Sequence, residues 1–460
     1  MISRRTLLSV LVSNLLLAAC ASTQNRPLSA YPPVIFVHGN GDTAALWQTT
    51  VWRFEANGWP SAHLHAIDLP YPLARDDDSK AQPGRSSTAE HMAFLKSQVE
   101  QVLQSTGARK VVLIGNSRGG NAIRNYIENG GGDAHVSHAI LGGTPNHGVW
   151  AVAGFREGNE FSGTGPFLRA LNAPKNAAGD EVTGPVHWLT LRSDNNDKYA
   201  QADGLWIGLP GTPTLINADG PALKGAVNTV LPGVDHRETS FSPAAFAASF
   251  RFITGSAPKT LLAEPLNPVV LNGKVTGLGL NPIDPTTGNY SNNLPLPGAQ
   301  LRVYATDAMT GARRGAAVHS RTVGADGLWG PFTAQPGVPY EFVVSAPGYA
   351  TTHIYRSAFP RSSTLVHLRA ERLEEADKRA ASSITLSRPR GYFDARRDRM
   401  LFDGKPLPGV AATVAGVSST KIRTDQPGVR PISAQFNGEG LTGLTWPAAY
   451  NHLVVLELTY

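Results

Sequence analysis

The pentapeptide Gly115-Asn116-Ser117-Arg118-Gly119 carries the clearest chemical signal in the chain. It directly follows an apolar run, Val111 to Ile114, and leads into a segment with helical spacing. Gly-x-Ser-x-Gly between a strand and a helix forms a sharp turn that holds the Ser hydroxyl clear of the sheet edge, as a nucleophile elbow does. Glycine on both sides lets the backbone fold back with no Cβ in the way. A serine hydroxyl is a weak nucleophile until a base takes its proton and a third group orients that base. The chemistry also needs N–H donors where an oxyanion develops. His38-Gly39-Asn40-Gly41 closes a second apolar run, Val34 to Val37. The Asn40 and Arg118 backbone N–H groups are the expected oxyanion donors. A phosphate-binding reading of that loop is disfavoured, because neither Gly-x-Gly-x-x-Gly nor Gly-Lys-Ser/Thr occurs there.

The base and the acid should follow the nucleophile in chain order. Of 13 histidines, His236 is best placed. It closes the loop after a predicted strand, Ala226 to Leu231, just before a helix opening at Ser242-Pro243. His147, in Thr144-Pro145-Asn146-His147-Gly148, is the rival, but it follows an earlier strand and reads as a pocket or loop residue. The acid is expected after the predicted strand Val186 to Leu191, which gives Asp194 or Asp197, with Asp203 a more distant third. The unused Asp is expected to bond its own turn backbone. His63 and His65 alternate along one strand, but no Cys or carboxylate pattern joins them into a metal site. Asp76-Asp77-Asp78 lacks the alternating spacing of a calcium loop. No metal ion and no cofactor is expected.

These residues need a scaffold, and the hydrophobic pattern supplies one. From Pro33 to about Thr254, predicted strands alternate with predicted helices: Val34 to Val37, Ala44 to Gly58, Ala62 to Ile67, a helix opened by Ser87 with Glu90 and closed by Gly107, then Val111 onward. Strands alternating with helices predict a parallel α/β sheet. The Ala151 to Asp180 stretch, with Phe155, Phe161, Phe167, Leu168 and Leu171, is expected to form an apolar lid or acyl pocket. The pattern changes near Gly255. Short β-rich runs with turn pairs such as Asn272-Gly273 then predict an all-β sandwich or barrel. The expected organisation is a catalytic unit at 31–257, a β unit at 258–370 and a second β-rich unit at 371–460, packed with the first. On this division every proposed catalytic residue lies before Ser256. A chain ending there is expected to keep activity on short soluble esters and to lose it on insoluble ones.

Composition bounds the partners. The 460 residues carry 17% charged side chains, 47 Gly and 34 Pro, which excludes a coiled coil and a charge-rich disordered chain. The net charge is +6, but the signs are interspersed. Even the most basic stretch, Arg388 to Arg399, contains Asp394 and Asp398, so no nucleic-acid footprint is present. A single Cys excludes an internal disulfide. That Cys ends Leu17-Ala18-Ala19-Cys20, after Arg4-Arg5 and a short apolar run. A charged start, an apolar stretch and small residues before a cut site make residues 1–20 a predicted signal peptide. Leu-Ala-Ala-Cys resembles a bacterial lipobox, which implies lipidation at Cys20, a tether at 21–30 and an exported protein held to the outer membrane. Ser3 to Leu8 also resembles a twin-arginine signal.

Together these stretches resemble the α/β-hydrolase lipases and esterases, and among them the Archaeoglobus-type lipases, in which a hydrolase domain precedes a β-rich lipid-binding domain. The resemblance rests on Val34 to Asn40, Arg53 to Pro60, the Ser117 elbow, Val234-Asp235-His236, Thr352 to Arg356, Phe359-Pro360-Arg361 and the end from Asn451 to Tyr460. Gly273-Lys274-Val275, Leu296 to Ala299, Gly324 to Gly327 and Ala346 to Tyr349 resemble carboxypeptidase-regulatory-like β modules. One departure matters. In the archaeal enzymes the acid follows the strand after the elbow's helix, where this chain has Gly142 to His147 and no carboxylate. The acid must then move to the next strand's loop. Ser193 to Gln201 resembles the acid loop of other lipases, and placing Gln201 in register favours Asp197. The resemblance implies a serine ester hydrolase with Ser117, His236 and Asp197 as its triad, acting on acyl esters. The alternatives are an extracellular polyester depolymerase with the same triad and, from another class, a catalytically inactive binding lipoprotein.

Overall fold

The computed structural model describes residues 31–194, 196–201, 203–204, 208–280 and 289–460. The expected signal peptide, Cys20 and the tether lie outside the described residues. The first half is built on six strands: β1 Val34–Val37, β2 Leu64–Ile67, β3 Val111–Asn116, β4 Val136–Gly142, β5 His187–Ser193 and β6 Val227–Leu231. Every pairing between them is parallel, in the order β2-β1-β3-β4-β5-β6. Helices cover both faces: α1 Gln48–Ala56, α2 Thr88–Thr106, α3 Arg118–Asn129, α4 Pro166–Leu171, α5 Glu238–Phe241 and α6 Pro243–Thr254. A strand covered on both faces must be apolar throughout, and β1 is buried at all four positions. Val34 and Phe36 pack with Phe54, Phe246 and Phe250, while Ile35 and Val37 pack with Leu95, Val99 and Ile123 on the other face. The α2 helix starts where its sequence signal puts it. The Ser87 side chain accepts from the Glu90 N–H, the Glu90 side chain accepts from the Ser87 N–H, and Gly107 ends the helix at φ 68°.

This is an α/β-hydrolase sheet, and the chain beyond it is strand-rich. Seven strands form one mixed sheet, with His452–Glu457 lying parallel between Thr351–Arg356 and Ser382–Ser387. The stretches 258–370 and 371–460 therefore share a sheet. The period of two in a strand sends that segment's side chains to two cores. Leu453 and Val455 join Trp329, Phe342 and Ile354, whereas Val454 and Leu456 join Tyr355, Phe393 and Phe436.

The two halves meet over α1. Trp52 is fully buried in the β half's core, and its indole N–H donates to the Ser362 carbonyl at 2.8 Å. Phe54, two residues on, packs into the α/β core instead. Gln48 donates to Ser363 Oγ at 3.2 Å and accepts from Arg356 at 3.2 Å. Asp68, just beyond β2, receives Lys274 and His367, each at 2.9 Å.

Candidate active site

The five residues expected in the triad and the oxyanion hole lie at or just beyond the carboxyl ends of strands, the edge where ligands bind in open α/β sheets. Ser117 sits between β3 and α3 at φ 53°, ψ −120°, a left-handed φ that a residue with a Cβ adopts only when its surroundings impose it. Its own N–H donates to the Gly142 carbonyl at 2.8 Å. The glycines around it are required by close approach. A Cβ on Gly119 would lie 2.4 Å from the Val37 carbonyl oxygen, and one on Gly120 would lie 1.9 Å from Thr144 Oγ1. The bare Gly119 lets α3 press against the end of β1, and the bare Gly120 lets it approach the loop after β4. That brings the Arg118 N–H, in a first turn without intrahelical acceptors, beside the His38–Asn40 loop. A Cβ on Gly39 would be 3.1 Å from Ser117 Cβ, so the loop lies directly against the elbow.

His38 orients that loop. Its Nδ1–H donates to the Gly39 carbonyl at 2.9 Å, and its Nε2 accepts from the Leu69 N–H at 3.1 Å. One nitrogen donating and one accepting is the pattern of a neutral imidazole. Burial pushes the His38 pKa down, against the pull of Asp68. Gly39 C=O and Asn40 N–H belong to one planar peptide unit, so holding the carbonyl sets the direction of the N–H. The Asn40 side chain fixes the other end by accepting from the Ala74 N–H at 2.7 Å.

The expected acid and the expected base meet. Asp197 Oδ2 accepts from His236 Nδ1 at 2.6 Å, and both side chains are buried. The second Asp197 oxygen accepts from the Tyr199 N–H at 2.7 Å, and Gln201 Nε2 donates to the Asp197 carbonyl at 2.7 Å. Asp194 is exposed and accepts from the Gly233 N–H at 2.9 Å. It ties the β5 loop to the β6 loop rather than bonding its own turn. His147 lies elsewhere, 3.1 Å from Glu181. Ser117 and His236 line one cavity of about 70 Å³, together with Asn40, Pro145, Val149, Phe161 and Ile216. Ser117 Oγ makes no hydrogen bond to His236 in this state, and such contacts commonly close only when substrate arrives. Of the aromatic and leucine side chains expected to form a lid, Phe161 reaches the cavity, whereas Leu168 and Leu171 are buried.

Two family models match this chain: a class 2 lipase model over residues 31–163 and a lipase C-terminal domain model over residues 267–373. The chain belongs to the α/β-hydrolase lipase family. It is an ester hydrolase. Solved structures similar to this lipase include the mature Bacillus licheniformis lipase BlEst2, at 20% identity over 50% of this chain and 91% of that one, with a TM-score of 0.34. The propeptide form of BlEst2 matches at 14% identity over 92% of this chain and 94% of that one, with a TM-score of 0.36. Aspergillus fumigatus lipase B matches at 15% over 52% of this chain and 56% of that one, with a TM-score of 0.34. No curated protein sequence matches this chain.

Several residues of the lipase site escape sequence reasoning. Asn116 Nδ2 donates to the His236 carbonyl at 3.1 Å and to Ser240 Oγ at 2.8 Å, joining the elbow to the base loop. Tyr199 lies against His236, with ring centroids 4.3 Å apart. The Arg118 guanidinium is fully buried and satisfied by Glu160, the Pro72 carbonyl and Ser86. Tyr392 lines the cavity from the β half. Its N–H donates to Asp235 Oδ2 at 2.7 Å, next to the base. The one available signal was the Arg388–Arg399 stretch, which sequence reasoning weighed only as a nucleic-acid footprint and whose Arg388 and Arg390 are buried.

Proposed function

We propose that this lipase cleaves acyl esters through a Ser117–His236–Asp197 triad and an acyl-enzyme. Ser117 Oγ attacks the ester carbonyl while His236 Nε2 takes its proton, then passes it to the departing alkoxide. Asp197 keeps the Nδ1 proton facing away from the substrate and stabilises the imidazolium. The Asn40 and Arg118 N–H groups receive the oxyanion; losing one such donor typically costs about 3 kcal/mol. Water repeats the sequence on the acyl-enzyme and frees the acid. The observation that carries this reading is the 2.6 Å His236–Asp197 hydrogen bond beside a left-handed Ser117 in the same cavity. The cavity walls Val149, Phe161 and Ile216 are apolar and the volume is about 70 Å³, which suits a short acyl group. p-Nitrophenyl esters of rising chain length should be cleaved fastest at the short end. Ser117→Ala should lower kcat by at least about 10⁴-fold with the melting temperature held; a variant within tenfold of wild type rules the triad out.

We further propose that the chain is exported and lipid-anchored through Cys20. Among the described residues no helix is long and apolar enough to cross a membrane. Cys20→Ser should move the protein out of the membrane fraction. Unchanged detergent-dependent association would refute the anchor.

A further inference from the structure

The turn that carries His236 is held from both sides by charged groups. Asp235 and Glu238 flank the base and bond reciprocally. The Asp235 N–H donates to Glu238 Oε2 at 2.8 Å, and the Glu238 N–H donates to Asp235 Oδ1 at 2.9 Å. The Arg237 N–H also donates to Asp235 Oδ1, at 2.8 Å. This is the side-chain and backbone pattern of a capping box, wrapped around the catalytic histidine. It places two carboxylates in the protein interior, Asp235 with no exposure and Glu238 with 7%. Like charges this close repel, and each also loses hydration. Burial and Glu238 push Asp235 up, whereas Glu238 is held down, against burial, by Arg388 and Arg397.

The neutralising charge comes from 150 residues further along the chain. Arg388 Nη1 donates to Asp235 Oδ2 at 3.1 Å, and Arg388 Nη2 donates to Glu238 Oε1 at 2.6 Å. Arg397 adds a second pair to Glu238. Arg388 itself is buried, with Phe436 4.5 Å from its guanidinium carbon, so it is anchored in the β half's own core. The acid loop is pinned from the same unit. Asn196 donates to Asp394 at 2.9 Å, Asp197 bridges to Ala415, and Lys198 Nζ donates to the Gly416 carbonyl at 3.0 Å.

We propose that Arg388 is a positioning residue for the catalytic base. One guanidinium spans both flanking carboxylates, keeps the box closed, and so aims His236 at Ser117 and Asp197. The segment around it, residues 388–417, lies outside both matched family models and completes the site that the α/β half begins. Lysine cannot replace the function fully, because a point charge cannot bond two carboxylates in a fixed fork.

This inference rests on the Ser117–His236–Asp197 reading, which Ser117→Ala tests separately. The decisive set is Arg388→Met, Arg388→Lys and Arg388→Met/Glu238→Gln, each in the full chain. Each is assayed for kcat and KM on p-nitrophenyl butyrate and followed through a thermal melt. Misplacing the base should cost Arg388→Met about 100-fold in kcat with KM within about threefold, and Arg388→Lys about tenfold. Arg388→Met leaves Asp235 without a cation while Glu238 keeps Arg397; neutralising Glu238 should relieve its repulsion with Asp235, so the double variant should recover at least about tenfold over Arg388→Met. A merely space-filling arginine would show no such recovery. The proposal is overturned by an Arg388→Met protein that melts cooperatively with kcat within threefold of wild type, or by a double variant no faster than the single. If Arg388→Met does not fold, Arg388→Lys decides: kcat within twofold of wild type overturns the proposal, and a tenfold fall at unchanged KM supports it.

Discussion

Asp197 and Asp194 sit three positions apart on one loop, and the difference between them is a matter of neighbours. Asp197 is buried and gives one oxygen to His236 and the other to the Tyr199 N–H. Asp194 is exposed and gives an oxygen to the Gly233 N–H. Asp197→Asn should therefore lower kcat by roughly 10³- to 10⁴-fold, since an amide there can favour the wrong imidazole tautomer. Asp194→Asn should stay within about threefold, because an Asn oxygen still accepts from Gly233. Steady-state rates on a soluble ester compare the two, and the reverse ranking would move the acid to Asp194. Ser117 and His236 were legible because short patterns fix their surroundings: Gly-x-Ser-x-Gly after an apolar run, and a His between a strand and a Ser-Pro helix start. Gln201 helped with Asp197, and its amide does bond the Asp197 carbonyl. Arg388 and Tyr392 were not legible, since no local pattern says which arginine in a basic stretch turns inward or which loop it meets.

The elbow works because a strand and a helix are forced closer than side chains allow. An alanine at Gly119 would add slightly to helix propensity, yet its Cβ would stand 2.4 Å from the Val37 oxygen. The contact should win. Gly119→Ala should lose about 2 to 4 kcal/mol in urea unfolding and, in what remains folded, lose kcat as the Arg118 N–H moves away from Asn40. A variant as stable and active as wild type would mean that the approach of α3 to β1 is not needed. Three histidines withdrawn from water, His38 and His91 buried and His138 half-buried, bear on the acid limit. Burial lowers His38 beside β1, His91 on α2 and His138 on β4, the last to about 4. Each binds a proton more readily in the unfolded chain, so the folded state is favoured fully above their ordinary 6.5 and progressively less as pH falls through the folded values. The melting temperature should fall between about pH 6.5 and pH 4, measured by calorimetry. The α/β elements were legible from alternating apolar runs and from caps such as Ser87 and Gly107. What the pattern hid was that Trp52 and Phe54 on one helix belong to two different cores.

At the scale of the whole molecule, the change of pattern near Gly255 marks where the architecture changes but not where the active site ends. No sequence pattern ties the β half to the triad, which is why a chain ending near Ser256 is expected, on sequence alone, to keep short-ester activity. The contacts argue the opposite. That cut exposes Trp52, whose burial alone contributes about 3 kcal/mol, and strips Asp68 of Lys274 and His367. It also leaves Asp235 and Glu238 facing each other without Arg388, and removes Tyr392 from the cavity wall. Breaking buried ion pairs by removing one partner typically costs about 3 to 5 kcal/mol, against a total stability of about 5 to 15 kcal/mol for a domain. The shortened chain should therefore lose its cooperative melt and its hydrolysis of p-nitrophenyl acetate together. Supplying residues 258–460 as a separate chain should restore both in proportion to complex formed. A shortened chain that melts cooperatively and turns over acetate at the wild-type kcat would show that the α/β half positions its triad unaided, and that the β half serves only the approach to substrate.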